Sequence, residues 1–362
     1  MIFGIPKELP PFKDKPEYRV GLSPMGVHEL LSHGAKVYIE SKAGEGAGFS
    51  DEDYEKAGGI IVYTKEEAYR RADVVLKVRR PQQEEYSYIK EGQTIMGFMH
   101  LVTARKEFIQ VVAEKKITLV GYEIIQKEDG RLPVVIPMSE MAGKLSVQIA
   151  GRLLESPGGG RGILLGGIPG IPPAEVIILG AGTLGCNAAK AFAGIGANVY
   201  VMDISRDKLD DLACHTSDLK VTTMFATKHN IKKLVKFADV LICAVLVPGK
   251  RSPILVTKEM VKTMRNGSVI IDFSIDQGGC SETSKLSPSG DFIYKVDNVI
   301  HFCMPNATTL VARTATHTIT SSIFPYLQIM IESGLTTALK ENHDLNQGIY
   351  AENGEIRKDY LS

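Results

Sequence analysis

Short apolar runs punctuate the first part of the chain at Ile2 to Ile5, Lys36 to Glu40, Val74 to Val78, Thr94 to Met99 and Thr118 to Glu123. Runs of that length, rich in β-branched residues and bounded by turn formers, predict strands. Between them, Met25 to Ser32 and Lys106 to Lys115 repeat with helical spacing. Ser23 ahead of Pro24 supplies a capping hydroxyl before a proline at the first helical position, and Gly34 marks the stop of the same helix. Strand and helix in alternation predict α/β architecture on a mainly parallel sheet.

A helical stretch from Met138 to about Leu154 leads into PGGGRGILLGGIPGIPP, whose glycines and prolines break regular structure and read as an interdomain connection. A second alternation follows. Strands are predicted at Glu175 to Leu179, Asn198 to Met202, Val240 to Val245 and Ser268 to Asp272, with helices from Gly182, from about Arg206 and over Lys258 to Met264. This is the rhythm of a doubly wound nucleotide-binding fold. After Asn306 the pattern is helical through Pro325 to about Leu339, with a polar tail beyond.

A chain of 362 residues exceeds what one hydrophobic core usually serves, so two domains with a cleft between them are expected. The division reads as a substrate domain over 1–137, completed by 306–362, and a Rossmann domain over 138–305. Hydrophobic residues make up 44% and charged residues 23%, the balance of a folded protein rather than a disordered one. Acidic and basic side chains are equal in number, which leaves no electrostatic footprint for nucleic acid or an anionic membrane. No stretch reaches the ~20 apolar residues of a spanning helix. MIFGIPKELP lacks the pattern of a signal peptide, so a cytoplasmic location is expected. Cys186, Cys214, Cys243, Cys280 and Cys303 form no CxxC pair, and the histidines are scattered, so neither a disulfide framework nor a metal site is signalled.

The sharpest local motif is Gly180-Ala181-Gly182-Thr183-Leu184-Gly185. GxGxxG alone is a weak signal, but here it follows the apolar strand VIIL and opens a helix. Gly180 can then make the tight turn, Gly182 can admit a pyrophosphate, and Gly185 can let helix and strand approach. Asp203 lies 18 residues past Gly185 at the end of NVYVMD, where a carboxylate accepts from ribose hydroxyls and repels a 2′-phosphate. The expected cofactor is NAD. Arg206, three residues on, could in principle neutralise a 2′-phosphate, which keeps NADP as the alternative, but reads at least as readily as a solvated side chain of the first helical turn.

The ordered set GIPKE, YRVGLSP, LKV, FMH, MSEMAGKLS, ILGAGTLG, VLVPGK and DFSIDQGG resembles alanine dehydrogenase and the related nucleotide-binding subunit of proton-translocating transhydrogenase, from residue 2 to about 340. The resemblance implies a Rossmann domain paired with a flavodoxin-like substrate domain. It implies reversible oxidative deamination of L-alanine to pyruvate and ammonium, and a homo-oligomer, hexamer or dimer. His100 and Asp276 match the dehydrogenase branch, where they handle proton and water chemistry. Arg19 and Lys77 would hold the 2-oxo acid, Glu123 and Asn306 would support the substrate, and Ser139, Val245 and Leu246 would join the glycine loop around the cofactor.

The chemistry suits these residue types. A guanidinium grips a carboxylate with two parallel donors. Lys77 puts a charge into the apolar strand VVLKV, which is costly unless it is paired or faces the cleft. A histidine exchanges protons near neutral pH. Asp276, in the SIDQGG turn, reads as more reachable than Asp272, which sits within an apolar run as a structural acid. Three departures stand against the resemblance. PPFKDKPEYR carries a few extra residues before Arg19; Ala307 stands where a methionine is usual; and Arg79 and Arg80 replace a lysine and an acid, read here as a solvated turn. A dehydrogenase or reductase for a larger amino or 2-oxo acid, and a non-catalytic transhydrogenase-like NAD(H)-binding subunit, are the competing functions.

Overall fold

The computed structural model describes residues 1–10, 15–245, 251–287 and 290–357. They form two units, one of Met1–Met138 with the chain from Thr309 onward, the other of Ser139–Thr308.

The first unit opens with strands β1 (Ile2–Ile5), β2 (Lys36–Glu40), β3 (Ile60–Val62), β4 (Val74–Arg79), β5 (Thr94–Phe98) and β6 (Thr118–Gly121). Helices α1 (Pro24–Ser32), α2 (Asp51–Lys56), α3 (Lys65–Arg70) and α4 (Lys106–Glu114) lie between them. The six strands are parallel in the order β3-β2-β1-β4-β5-β6. Without the three-residue β3 the order is 2-1-3-4-5, the flavodoxin-like winding. Helix α1 ends as its residues dictate: the Ser23 hydroxyl accepts from Gly26 N at 3.3 Å, Pro24 opens the first turn, and Gly34 leaves in the left-handed region at φ 84°.

Helix α5 (Val135–Leu154) contains the division between the units, which falls between Met138 and Ser139. The glycine- and proline-rich segment after it belongs wholly to the second unit. It is anchored there by the Arg161 side chain, which pairs with buried Asp239 at 2.9 Å, and turns back on itself through a bridge between Ile168 and Ile171.

The second unit carries β7 (Glu175–Leu179), β8 (Asn198–Asp203), β9 (Val221–Phe225), β10 (Val240–Cys243), β11 (Val269–Asp272), β12 (Ile293–Val296) and β13 (Val299–Phe302). Its helices are α6 (Thr183–Gly194), α7 (Arg206–His215), α8 (Lys228–Val235) and α9 (Lys258–Val261). The parallel order β9-β8-β7-β10-β11-β13 is the Rossmann order 3-2-1-4-5-6, with β12 antiparallel on one edge. β7, β10 and β11 read as continuous apolar runs because helices cover both faces of the sheet.

The chain then returns to the first unit through α10 (Ala312–Ser333), α11 (Leu335–Glu341) and α12 (His343–Gln347). Helix α10 docks by its threonines. Thr320 Oγ1 accepts from Ser23 N at 2.9 Å and Thr316 Oγ1 from Val20 N at 3.2 Å, satisfying backbone donors of the segment that enters α1. The tail expected beyond Leu339 is structured. β14 (Ile349–Glu352) pairs antiparallel with β6, and β15 (Glu355–Ile356) closes the edge. Ile349, Tyr350 and Ala351 are buried, so apolar residues in a four-residue strand were hidden by polar neighbours.

Candidate active site

In the first unit the predicted residues sit at the carboxyl ends of β4, β5 and β6 and on the segment before α1. Lys77, near the end of β4, is fully buried. Its Nζ lies 2.8 Å from Glu85 Oε1 and 3.1 Å from Glu8 Oε2. Glu85 also accepts from Tyr69 OH at 3.0 Å and from Gln82 N at 2.8 Å, while Glu8 accepts from Val78 N at 2.7 Å. Burial opposes the Lys77 charge, but two facing carboxylates outweigh it and hold its pKa above the ordinary lysine value. For Glu8 burial dominates and raises the pKa in spite of Lys77.

Arg19 is buried too, and Glu17 already meets it fork to fork. Nε reaches Glu17 Oε1 and Nη2 reaches Oε2, both at 2.7 Å. The Arg19 backbone N–H, at 3.1 Å, and Thr309 Oγ1, at 2.8 Å, also donate to Glu17 Oε1. Burial alone would push the Glu17 carboxyl up; the charge and hydrogen bonds of Arg19, helped by the charge of Arg79 and by Thr309, hold it below the usual glutamate range.

His100 follows β5 on a half-exposed turn, with a left-handed backbone at φ 44°. Its Nδ1 lies 3.7 Å from Glu123 Oε1, and its ring stacks on Phe98 with centroids 6.1 Å apart. Glu123 accepts the backbone N–H groups of both Met99 and His100, and Tyr350 OH donates to it at 3.0 Å. The ring of Tyr122, in the same GYE sequence, is fully buried edge-on to Phe98.

In the second unit the glycine loop has the geometry its spacing requires. Gly180 lies at φ 105°, where a Cβ would come 2.4 Å from Ala244 O; a Cβ on Gly185 would come 1.8 Å from Gly180 O. A Cβ on Gly182 would meet nothing within 4 Å, and no side chain caps the N-terminus of α6, which begins at Thr183 and Leu184. Such an open, donor-rich helix end fits a pyrophosphate. Asp203 Oδ2 accepts from Ala181 N at 2.7 Å and Oδ1 from Ser205 N at 2.9 Å, which fixes the carboxylate beside the loop with lone pairs left on each oxygen. Arg206 turns to Asp210 at 3.2 Å on the exposed face of α7. The residues present therefore fit NAD.

Asp276 is exposed on the turn after β11, and its Oδ2 stands 3.5 Å from the backbone N of Asn306, itself left-handed at φ 53°. Asp272 is buried and binds Ser274 N at 2.9 Å and Cys280 N at 2.8 Å, so it shapes the loop that presents Asp276. Burial raises its pKa, only partly countered by those bonds. Val245 is tied to Ser274, whose hydroxyl donates to Val245 O at 2.8 Å. Ser139 is half-buried on α5, and Leu246 lies outside the described residues. Ala307, 4% exposed, opens the short helical turn Ala307–Val311. Among the described residues no cluster of histidine, cysteine or acid side chains could hold a metal.

The N-terminal domain of the alanine dehydrogenase/PNT family matches residues 4–142, and its C-terminal domain matches residues 146–359. The chain belongs to this family. Alanine dehydrogenase of Methanococcus maripaludis is 40% identical over 360 residues, covering 98% of this chain and 94% of that protein. Its counterpart in Staphylococcus saprophyticus is 42% identical over 357 residues, again with 98% and 94% coverage. A solved L-alanine dehydrogenase superposes with a TM-score of 0.92 at 40% identity, covering 98% of this chain and 96% of its own. A transhydrogenase from Sinorhizobium meliloti shares the fold, with a TM-score of 0.84, at 24% identity over 99% of this chain and all of its own.

The geometry of the β4–β5 loops corrects one expectation. Arg80 is not part of a solvated turn: its guanidinium binds the carbonyls of Met99, His100 and Thr103. Glu8, Glu17, Glu85 and Tyr350 were missed altogether. Glu8 and Glu85 lie in PKELP and PQQEEYS, polar stretches that look solvated, and only the buried charge of Lys77 signalled that partners must exist.

Proposed function

We propose that the protein is an NAD-dependent L-alanine dehydrogenase, converting L-alanine, water and NAD⁺ to pyruvate, ammonium, NADH and a proton, and the reverse. What carries the reading is similarity along 98% of the chain, at 40% identity and above, to proteins named alanine dehydrogenase, joined to a glycine loop and Asp203 that suit NAD. The bound dinucleotide supplies or accepts the hydride at the substrate α-carbon.

Within that reaction Arg19, oriented by Glu17, holds the substrate carboxylate. Lys77, kept protonated by Glu8 and Glu85, places a fixed positive charge for the carbonyl oxygen. His100 exchanges the proton at that oxygen, its turn held by Glu123. Asp276, steadied by the Asn306 backbone, orients water or ammonia.

We also assign a cytoplasmic, self-associating state. No described helix is long and apolar enough to cross a membrane, and all five cysteines are free thiols, as a reducing compartment favours. Leu164, Ile168 and Ile171 are each at least 60% exposed on one ribbon, the kind of apolar surface a second copy covers. Sedimentation of Ile168→Asp with Ile171→Asp should show a smaller species than the parent; unchanged mass removes this ribbon from the interface.

The test of activity follows NADH absorbance with ammonium and a series of 2-oxo acids from pyruvate upward, with NADPH alongside. Turnover of pyruvate with NADH, little with NADPH and none in His100→Ala is expected. Turnover only with a larger acid replaces alanine as substrate, and silence across the series with intact NADH binding leaves a binding subunit.

A further inference from the structure

His100 is a non-glycine residue at φ 44° and ψ 56°, a conformation that costs about 1–2 kcal/mol and persists only where its surroundings impose it. Glu123 holds one side of the turn by accepting the N–H groups of Met99 and His100. The other side is held by Arg80. Its Nη1 donates to Met99 O and His100 O, both at 2.9 Å, and to Thr103 Oγ1 at 3.1 Å, while Nη2 donates to Thr103 O at 2.8 Å. Thr103 completes the cage by donating its own hydroxyl to His100 O at 3.0 Å.

We propose that Arg80 is a positioning residue for His100, clamping the carbonyl pole of the catalytic turn while Glu123 clamps its amide pole. The Met99–His100 peptide, whose carbonyl meets Arg80 and whose N–H meets Glu123, thus lies between a cation and an anion, each facing the end of the dipole it attracts. A register shift between β4 and β5, at Leu76 to Arg79, brings Arg80 alongside this turn, and Arg80 N also donates to Phe98 O at 3.1 Å. Several carbonyls at one site need a multi-donor fork, which a guanidinium has and a carboxylate, the side chain the family resemblance leads one to expect here, lacks. This assignment rests on the reading of His100 as the proton-transfer residue.

The test compares Arg80→Ala, Arg80→Lys and His100→Ala, each with kcat, KM for pyruvate, NADH affinity by fluorescence and Tm. Arg80→Ala should lose about tenfold to a hundredfold in kcat, the scale of a small misplacement of a reacting group, with NADH affinity within about twofold of the parent. Guanidinium ion at sub-denaturing concentration should restore part of that loss, and Arg80→Lys should fall between. Should Arg80→Ala not fold, the Lys variant with its kcat-to-KM split decides. Arg80→Ala or Arg80→Lys with parental kcat overturns the clamp, as does a loss shared equally by kcat and NADH affinity with no guanidinium rescue. His100→Ala with full activity overturns the reading of His100 itself, whatever Arg80 does.

Discussion

The buried charges decide where single substitutions are most informative. Lys77→Met removes the ammonium between Glu8 and Glu85 and leaves two carboxylates in a dry site, which should cost about 3–5 kcal/mol in urea unfolding at neutral pH. The pH dependence follows from the sign of the shifts. Burial already raises the Glu8 pKa, and without Lys77 the strongest opposing charge is gone, so the variant is most stable below the unfolded glutamate value and loses stability as pH rises through the raised one. It should therefore regain stability on acidification from neutral pH; a variant that loses it further sinks this account of the cluster. Glu17 behaves oppositely. Its folded pKa is depressed below 4.5, so its pairing with Arg19 stabilises above that value and the benefit disappears as pH falls through the depressed one. The stability gap between parent and Glu17→Gln should close on going from pH 6 toward about pH 3, and a constant gap would show that the pairing does not titrate. At this scale the sequence exposed one partner of each pair. A lysine inside VVLKV announces an energetic problem, but its solution lies in Glu8, far back in the chain, and Glu85, eight residues on, neither of which its local sequence marks.

Elements were more legible than residues, because their signals are local. A hydroxyl before a proline, a glycine after the last periodic residue and an apolar run ending in GAG each act within a turn of where they stand. Short strands escaped: Ile60–Val62, Val221–Phe225, Ile293–Val296 and Val299–Phe302 owe their place to neighbours already in the sheet, not to their own pattern. The glycine loop separates two roles that GxGxxG merges. Gly185→Ala drives a methyl to 1.8 Å from Gly180 O, so the strand–helix approach must open, and Tm and NADH affinity should fall together. Gly182→Ala has ordinary angles, φ −78° and ψ −172°, and open space around its Cβ. That variant should keep the parental Tm and still bind NADH at least about tenfold more weakly, since the methyl would occupy the room a pyrophosphate needs. Parental affinity in Gly182→Ala would exclude this loop as the phosphate cradle.

At the scale of the whole chain, the first unit is closed by its own far end. β14 adds antiparallel to β6 through Ile349 with Val120 and Ala351 with Leu119, and the Tyr350 ring lies where a side chain on Gly121 would otherwise go. From there Tyr350 OH reaches Glu123, which holds the His100 turn, so residues 227 positions apart share one task. No periodicity could announce this, because a four-residue strand becomes recognisable only once the edge it completes exists. Tyr350→Phe keeps the ring and loses one hydrogen bond to a charged group, worth about 1.5–3 kcal/mol. It should remain folded, with kcat several-fold lower and NADH affinity unchanged. A chain stopped after Gln347 loses the strand as well. β6 then becomes an unpaired edge beside an empty ring site, and the protein should unfold at lower urea concentration and aggregate on warming. If that shortened chain retained both the parental unfolding midpoint and the parental kcat, the terminal hairpin would be an ornament of the sheet. If Tyr350→Phe alone lowers kcat, the end of the chain belongs to the support of His100.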